Sequence, residues 1–270
     1  MQPILFTLTV PFVDRAFAVP SYGLFLTLGF LLAFVMGHRR GLRHGYDPDV
    51  LINLYIVIFL CGMAGARLTQ ILVNWKSFTA NPWPYFQLWG GGGVFYGGLL
   101  GAIAGCGVYG RIAGIPWGLM ADEAAPCVAL GHLLGRIGCL LNGCCYGLPS
   151  TVSWACAFGK DPALRHPTQA YEALGLSVIV IVLYRLVRRP HRAWSVAILY
   201  CFLYGMLRLV IERYRGDDRG ATLFGLLSVS QFISLGFLAT AAIGWSIVRR
   251  QAWPGPPDET PPEPRAAPEA

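Results

Sequence analysis

Between positions 22 and 248 the chain returns repeatedly to apolar runs about as long as bilayer hydrocarbon is thick, and arginine clusters close several of them. A helix needs roughly 20 apolar residues to cross that layer, and only helices and closed barrels satisfy their backbone groups inside it. The runs predict spans over residues 22–37, 50–73, a third emerging from the glycine-rich 88–108, then 117–141, 168–187, 194–211 and 223–248. The expected fold class is an all-α integral membrane protein with seven transmembrane helices. Composition agrees: at 55% hydrophobic and 13% charged residues, a single water-soluble domain is excluded.

His38, Arg39, Arg40 and Arg43 follow the first run, Arg188, Arg189, Pro190 and Arg192 the fifth, and Arg249 and Arg250 the last. Residues 1–20 lack the basic start of a cleaved leader and are read as retained. Residues 74–84, with Trp75 and Trp83 around Pro82 and Pro84, read as an interfacial loop in which aromatic rings lie at headgroup depth. One membrane domain is expected over 1–250. Residues 251–270, rich in proline and acidic groups, have no apolar run to bury and read as a disordered cytoplasmic tail.

Orientation follows from the cations. Placing the loop after the first run in the cytoplasm puts eleven Lys and Arg inside and seven outside, with the inner clusters closest to the span ends, so the N-terminus is expected outside and the C-terminus inside. Because these arginines are dispersed at span ends, the net charge of +7 gives no reason to expect nucleic acid as a partner. Gly90 to Gly93 are not followed by GK[ST], so no phosphate-binding nucleotide loop is expected either.

The stretch from His132 to Gly147, HLLGRIGCLLNGCCYG, concentrates chemistry in this apolar background. A guanidinium within a span costs at least about 2.5 kcal/mol, so Arg136 and Arg208 are expected to face the bundle interior and to be paired. Glu212, one helical turn after Arg208, is the expected partner. Asp122 and Glu123 are read as anchoring a helix start or pairing with Arg67. Guanidiniums outnumber carboxylates at the outer ends of the spans, and spare guanidinium beside lipid suits a phosphate ester.

GRIGCLLNGCCYG resembles the signature of the bacterial prolipoprotein diacylglyceryl transferase family. YGLFLTLGF, LWGGGGVFYGGLLG, RHPTQAYEAL and YGMLRLVIERYR resemble four further motifs of that family, in the same order, and together they extend over most of residues 22–248. The resemblance implies a multi-pass enzyme of the bacterial inner membrane, acting as a monomer without cofactor or metal. It would move the diacylglyceryl group of phosphatidylglycerol to the lipobox cysteine of preprolipoprotein signal peptides and release glycerol phosphate. Carried over by position, the catalytic candidates are Arg136, Arg208, Glu212, Tyr96 and Tyr204. The substrate-binding candidates are Arg136, Tyr22, Asn142, Cys144, Gly97, Gly98 and Gly147.

Three positions depart from the family pattern. Tyr96 stands where the family has a histidine thought to deprotonate the substrate thiol, and Cys139 and Cys144 replace an asparagine and a glutamate. A phenol with a pKa of about 10 is a poor base at neutral pH unless a cation stabilises its anion. His132, one turn before Arg136, is an alternative source of imidazole. The cysteines admit several readings: a thiolate at Cys144 beside Arg136, a redox centre of Cys144 and Cys145 or a disulfide of one of them with Cys156, a zinc site with His132 or His166 despite an unusual C-x4-C-C spacing, or simple packing. The competing functional classes are a membrane thiol oxidoreductase using Cys139, Cys144 and Cys145, and a non-catalytic lipid- or lipoprotein-binding relative.

Overall fold

The computed structural model describes residues 3–9, 16–86, 94–158, 161–215 and 228–251. Nine helices are present among them: α1 Ser21–Arg43, α2 Pro48–Val73, α3 Trp75–Ala80, α4 Trp83–Phe86, α5 Phe95–Ile112, α6 Trp117–Asn142, α7 Thr168–Leu186, α8 Ser195–Glu212 and α9 Val229–Val248. Six of these, α1, α2, α6, α7, α8 and α9, are long and apolar enough to cross a membrane by length and composition. Two short antiparallel hairpins accompany them: β1 Ile4–Thr9 with β2 Ala16–Pro20, and β3 Cys156–Phe158 with β4 Asp161–Arg165.

Several sequence-based boundaries change. The first span was expected to stop at Gly37, but α1 runs on through the arginines to Arg43, because a long cationic side chain does not break a helix. What ends it is the left-handed Gly45 (φ 76°), followed by Asp47, whose side chain accepts from Asp49 N at 2.7 Å and caps α2 ahead of Pro48. The expected loop at 74–84 contains α3 and α4. The hairpins add strand to a chain expected to be all helix. Residues 88–93, 223–227 and 252–270 of the expected third span, seventh span and tail lie outside the described residues.

The chain divides into two compact units. In the unit comprising residues 38–120, α5 lies against α2 through bare backbone. Added Cβ atoms at Gly97, Gly101 and Gly65 would strike Thr69 Oγ1, the Cys61 carbonyl and the Gly97 carbonyl respectively, while one at Gly98 would sit 3.3 Å from Ala66 Cβ. Gly97, Gly101 and Gly105 recur every four residues and so present one small-residue face, the usual device for close helix approach in lipid. Tyr46, Leu51, Leu54, Ile115 and Met120 fill the core beyond it.

The other unit holds the chain up to Gly37 and from Ala121 onward. Its core is Ala125 and Ala129 of α6, Leu176, Ile179 and Leu183 of α7, then Val187 and Val196. On α7 the buried face includes Thr168, Gln169 and Glu172, whereas Leu174, Val178 and Ile181 point outward. Polar groups inside and aliphatic groups outside is the arrangement a lipid solvent selects. α1 packs on α6 at glycines: a Cβ at Gly29 would lie 3.2 Å from the Gly131 carbonyl, and one at Gly138 would lie 3.2 Å from Tyr22 Cα.

Asp122 explains how α8 begins. Its carboxylate accepts from the backbone N–H groups of Trp194 (2.7 Å), Val196 (2.9 Å) and Ala197 (2.9 Å), so an α6 side chain caps another helix and holds Trp194 in a left-handed conformation at φ 73°. The helix-anchoring reading of Asp122 therefore holds, although the anchored helix is not its own. His191 Nε2 approaches Asp122 Oδ2 at 3.5 Å, and Nδ1 donates to the Arg189 carbonyl at 2.7 Å. The hydrogen bond to Asp122 holds the His191 pKa above its ordinary value, against the opposing effect of burial.

Two predictions follow from these contacts. Gly101→Val should destabilise the α2/α5 unit by about 1–3 kcal/mol, as overpacking does, read as a lower unfolding midpoint in detergent; an unchanged midpoint would contradict the close approach. Because the His191 pKa is raised, its contribution to stability is complete below about pH 6.5 and is lost as pH rises through the higher folded-state value. The parent should lose thermal stability across that alkaline rise more steeply than His191→Gln, and parallel curves would refute the linkage.

Candidate active site

Helical spacing sets the site's first layer. His132 and Arg136 are one turn apart on α6, and Tyr204, Arg208 and Glu212 follow the same four-residue interval along α8. α7 contributes Glu172, the only carboxylate of that helix, with no solvent exposure. Arg136 Nε lies 3.1 Å and Arg208 Nη1 3.5 Å from Glu172 Oε2. Tyr204 donates its hydroxyl to Oε1 at 3.5 Å. One carboxylate thus joins guanidiniums from two other helices.

A second pair flanks the first. Arg208 Nη2 lies 2.8 Å from Glu212 Oε2, and donates to Ser230 Oγ at 2.9 Å. Glu212 Oε1 in turn accepts from Ser228 Oγ at 2.8 Å, while Ser228 also caps α9 in a reciprocal box with Gln231. The start of α9 is therefore fastened to the end of α8 through the same charges.

His132 Nε2 is 3.3 Å from Arg136 Nε and 3.5 Å from Glu172 Oε1. A nitrogen that accepts from arginine cannot also donate to the carboxylate, so the arginine contact requires the tautomer protonated on Nδ1. The imidazole packs edge-on to Tyr204 with ring centroids 5.0 Å apart, and Tyr204 stacks on Tyr200 at 5.8 Å. Among the described residues, Glu172 Oε2, Arg208 Nη1 and Glu212 Oε2 are buried without a well-directed hydrogen bond, leaving hydrogen-bonding capacity beside the ion pairs.

The thiols are gathered by the way α6 ends. Gly143 is left-handed at φ 74°, Gly143 N donates to the Leu140 carbonyl at 3.2 Å and Cys144 N to the Cys139 carbonyl at 3.2 Å. These are the two bonds of a Schellman cap, which turns the chain back on its own last helical turn. Cys144 therefore lies against Cys139, and Cys145, itself left-handed at φ 65°, completes a group whose three sulfurs lie within 4.8 Å of one another. The start of α7 locks the turn: Gln169 Nε2 donates to the Cys144 carbonyl and Thr168 Oγ1 to the Cys145 carbonyl at 3.0 Å. Side-chain hydrogen bonds from Cys139 and Cys144 hold the Cys145 thiol below its ordinary pKa, with Arg215 and Arg136 acting in the same direction against burial.

The remaining sequence candidates fall in different places. Tyr22 begins α1 beside Gly138 and is 42% exposed; Asn142 is the exposed last residue of α6. Gly147 is a close-approach glycine, since a Cβ there would strike the Tyr214 carbonyl and lie 2.8 Å from His166 Cβ and Thr168 Cγ2. Gly97 and Gly98 face α2 within the other unit, and the side chain of Tyr96 lies outside the described residues. All eight cysteines are free thiols, with Cys156 donating to the Trp154 carbonyl at 3.4 Å. Glu172, Gln169, Ser228 and Ser230 were given no role from sequence. A lone carboxylate inside an apolar run was the available signal for Glu172.

Comparison with known proteins gives a consistent result. Residues 9–247 match the family described as prolipoprotein diacylglyceryl transferase. A phosphatidylglycerol–prolipoprotein diacylglyceryl transferase of Clostridium tetani is 34% identical over 240 residues, covering 87% of this chain and 93% of that protein. Proteins of the same name from Photobacterium profundum and Methylococcus capsulatus are 35% and 34% identical, covering 84% of this chain in each case and 90% and 92% of their own lengths.

Removing the Glu172 charge alone takes away the ion pair of buried Arg136 and leaves Arg208 with Glu212. Glu172→Gln should cost on the order of 3–5 kcal/mol, and adding Arg136→Met should restore part of that loss, because residues in one ion-pair network are non-additive. The unfolding midpoints of the two single variants and the double variant decide it; simple additivity would mean that the contacts carry no coupling.

Proposed function

The chain belongs to the prolipoprotein diacylglyceryl transferase family, and from that membership we propose how its buried charges serve the reaction. It is a phosphatidylglycerol–prolipoprotein diacylglyceryl transferase, moving the diacylglyceryl group to the lipobox cysteine thiol and releasing glycerol phosphate. The thiolate sulfur attacks the glyceryl carbon, a C–S bond forms, the C–O bond to phosphate breaks, and negative charge collects on the departing phosphate ester. Stabilising that charge in a site poor in water is the largest task facing the protein.

Arg136 and Arg208 hold the phosphate of the lipid and stay with it as it leaves. The observation that carries this reading is the shared carboxylate: Glu172, fully buried, lies within 3.5 Å of both guanidiniums and fixes where they point. Glu212 orients Arg208 from the other side, and Tyr204 orients Glu172. Tyr22 and Asn142 stand where the lipid enters, with Cys144 beside them. Gly147, Gly97 and Gly98 are carried over as substrate-binding positions, each at a place where neighbouring atoms leave little or no room for a Cβ. Tyr96 and His132 are candidates to receive the thiol proton.

Topology completes the proposal. α5, eighteen residues long and laid against α2, is taken as the seventh span. The N-terminus is outside, the C-terminus and the 251–270 tail are cytoplasmic, and the protein is a monomer of the bacterial inner membrane. The ends of α6 and α8 that hold Arg136 and Arg208 then open to the outer leaflet, the side on which a secreted lipoprotein precursor arrives. No observation favours the thiol oxidoreductase or the non-catalytic relative.

Transfer of labelled diacylglycerol from phosphatidylglycerol to a lipobox peptide tests the assignment. Arg136→Ala should abolish transfer, and Arg136→Lys should retain only a small fraction, since a point charge replaces a two-pronged donor. Parent-like transfer by the alanine variant would remove Arg136 from the site.

A further inference from the structure

We propose that Cys139, Cys144 and Cys145 bind one zinc ion whose open fourth position takes the substrate's cysteine thiol and delivers it as a thiolate. The inference rests on the transferase reading and specifies how its nucleophile is made.

Geometry carries the argument. Three sulfurs lie within 4.8 Å of one another, and zinc–thiolate bonds of about 2.3 Å in a tetrahedral arrangement need sulfurs about 3.8 Å apart. Closing the group takes a movement of about 1 Å at most. The anchoring suits that movement, because Cys139 is fixed on the last turn of α6 while Cys144 and Cys145 occupy a two-residue bend tied by Thr168 and Gln169 through its carbonyls, and Cys144 Sγ donates to the Cys139 carbonyl at 3.7 Å.

The number of ligands points to reaction rather than support. Structural zinc sites are closed by four protein ligands, whereas catalytic sites have three and keep one position for water or substrate. Among the described residues the group consists of three thiols, with no fourth His, Cys, Asp or Glu in it. The phosphate-binding candidate Arg136 is three residues before Cys139 on the same helix, which places nucleophile and leaving group within one turn.

The chemistry balances without an oxidant. Binding zinc releases the protons of the three cysteines to solvent, and the incoming peptide thiol gives up its own to solvent on ligation, since a metal-bound thiol is deprotonated outright. Its sulfur then attacks the glyceryl carbon as the C–O bond to phosphate breaks. The thioether formed is a weak ligand and leaves, and the next thiol takes its place.

The protein purified without chelator should contain one zinc per chain, and cobalt(II) replacing it should show thiolate-to-metal charge-transfer absorption that changes when a lipobox peptide is added. Cys139→Ser, Cys144→Ser and Cys145→Ser should each lose the metal and at least tenfold of the transfer rate, with Cys139→Ser and Cys145→Ser still retaining phosphatidylglycerol. Cys127→Ser and Cys201→Ser, outside the group, should keep both. Metal-free parent that transfers at full rate overturns the proposal and leaves the transferase reading intact, as does a Cys139–Cys144 disulfide in active protein. Parent that transfers nothing at any zinc loading overturns the transferase reading instead, and the metal count and cobalt spectrum still decide whether the site exists.

Discussion

The arrangement depends on a single buried carboxylate. Glu172 has no contact with solvent, yet lies against Arg136 of α6 and Arg208 of α8, with Tyr204 and His132 closing around it. In a lipid solvent such charges are tolerated only when they satisfy one another, so the ion pairs constrain how α6, α7 and α8 associate. The same requirement fixes the guanidiniums before any substrate arrives, and preorganised positive charge is what a phosphate leaving group demands. In the proposed reaction, stability and chemistry draw on the same three side chains.

Around that centre, helix ends do the positioning. α6 ends in a Schellman turn at Gly143 that folds Cys144 onto Cys139; α7 begins by holding the carbonyls of that turn; α8 ends at Glu212, which fastens the cap of α9 through Ser228. At the far end of the bundle Asp122 caps α8 and engages His191. Both ends of α8 are therefore held by charged or polar groups from other helices, and its apolar length lies between two fixed points.

Much of this was legible in the residues. Apolar runs of bilayer length gave the helices, and Arg136 and Arg208 were marked by the cost of charge within them. Boundaries were less legible because arginine clusters were read as stops, whereas α1 ends only where Gly45 and Pro48 interrupt the backbone. Glu172 had no local partner to announce it, since its contacts lie 36 residues away on either side and periodicity reports only neighbours one turn apart. The thiol group was obscured for the opposite reason: the C-x4-C-C spacing looks irregular until Gly143 is recognised as the left-handed residue of a helix cap, after which residues five apart are expected to meet. The hairpins, of three to six residues per strand, were too short to stand out against the apolar background.

We propose that this chain performs diacylglyceryl transfer at the Arg136–Glu172–Arg208 site. The most direct measurement is to express it in bacteria depleted of their own transferase and follow the mass of a reporter lipoprotein. Growth and a diacylglyceryl adduct on the lipobox cysteine are expected with the parent chain, and neither with Arg136→Ala present in the membrane at equal amount. An unmodified reporter despite normal membrane insertion of the parent would contradict it.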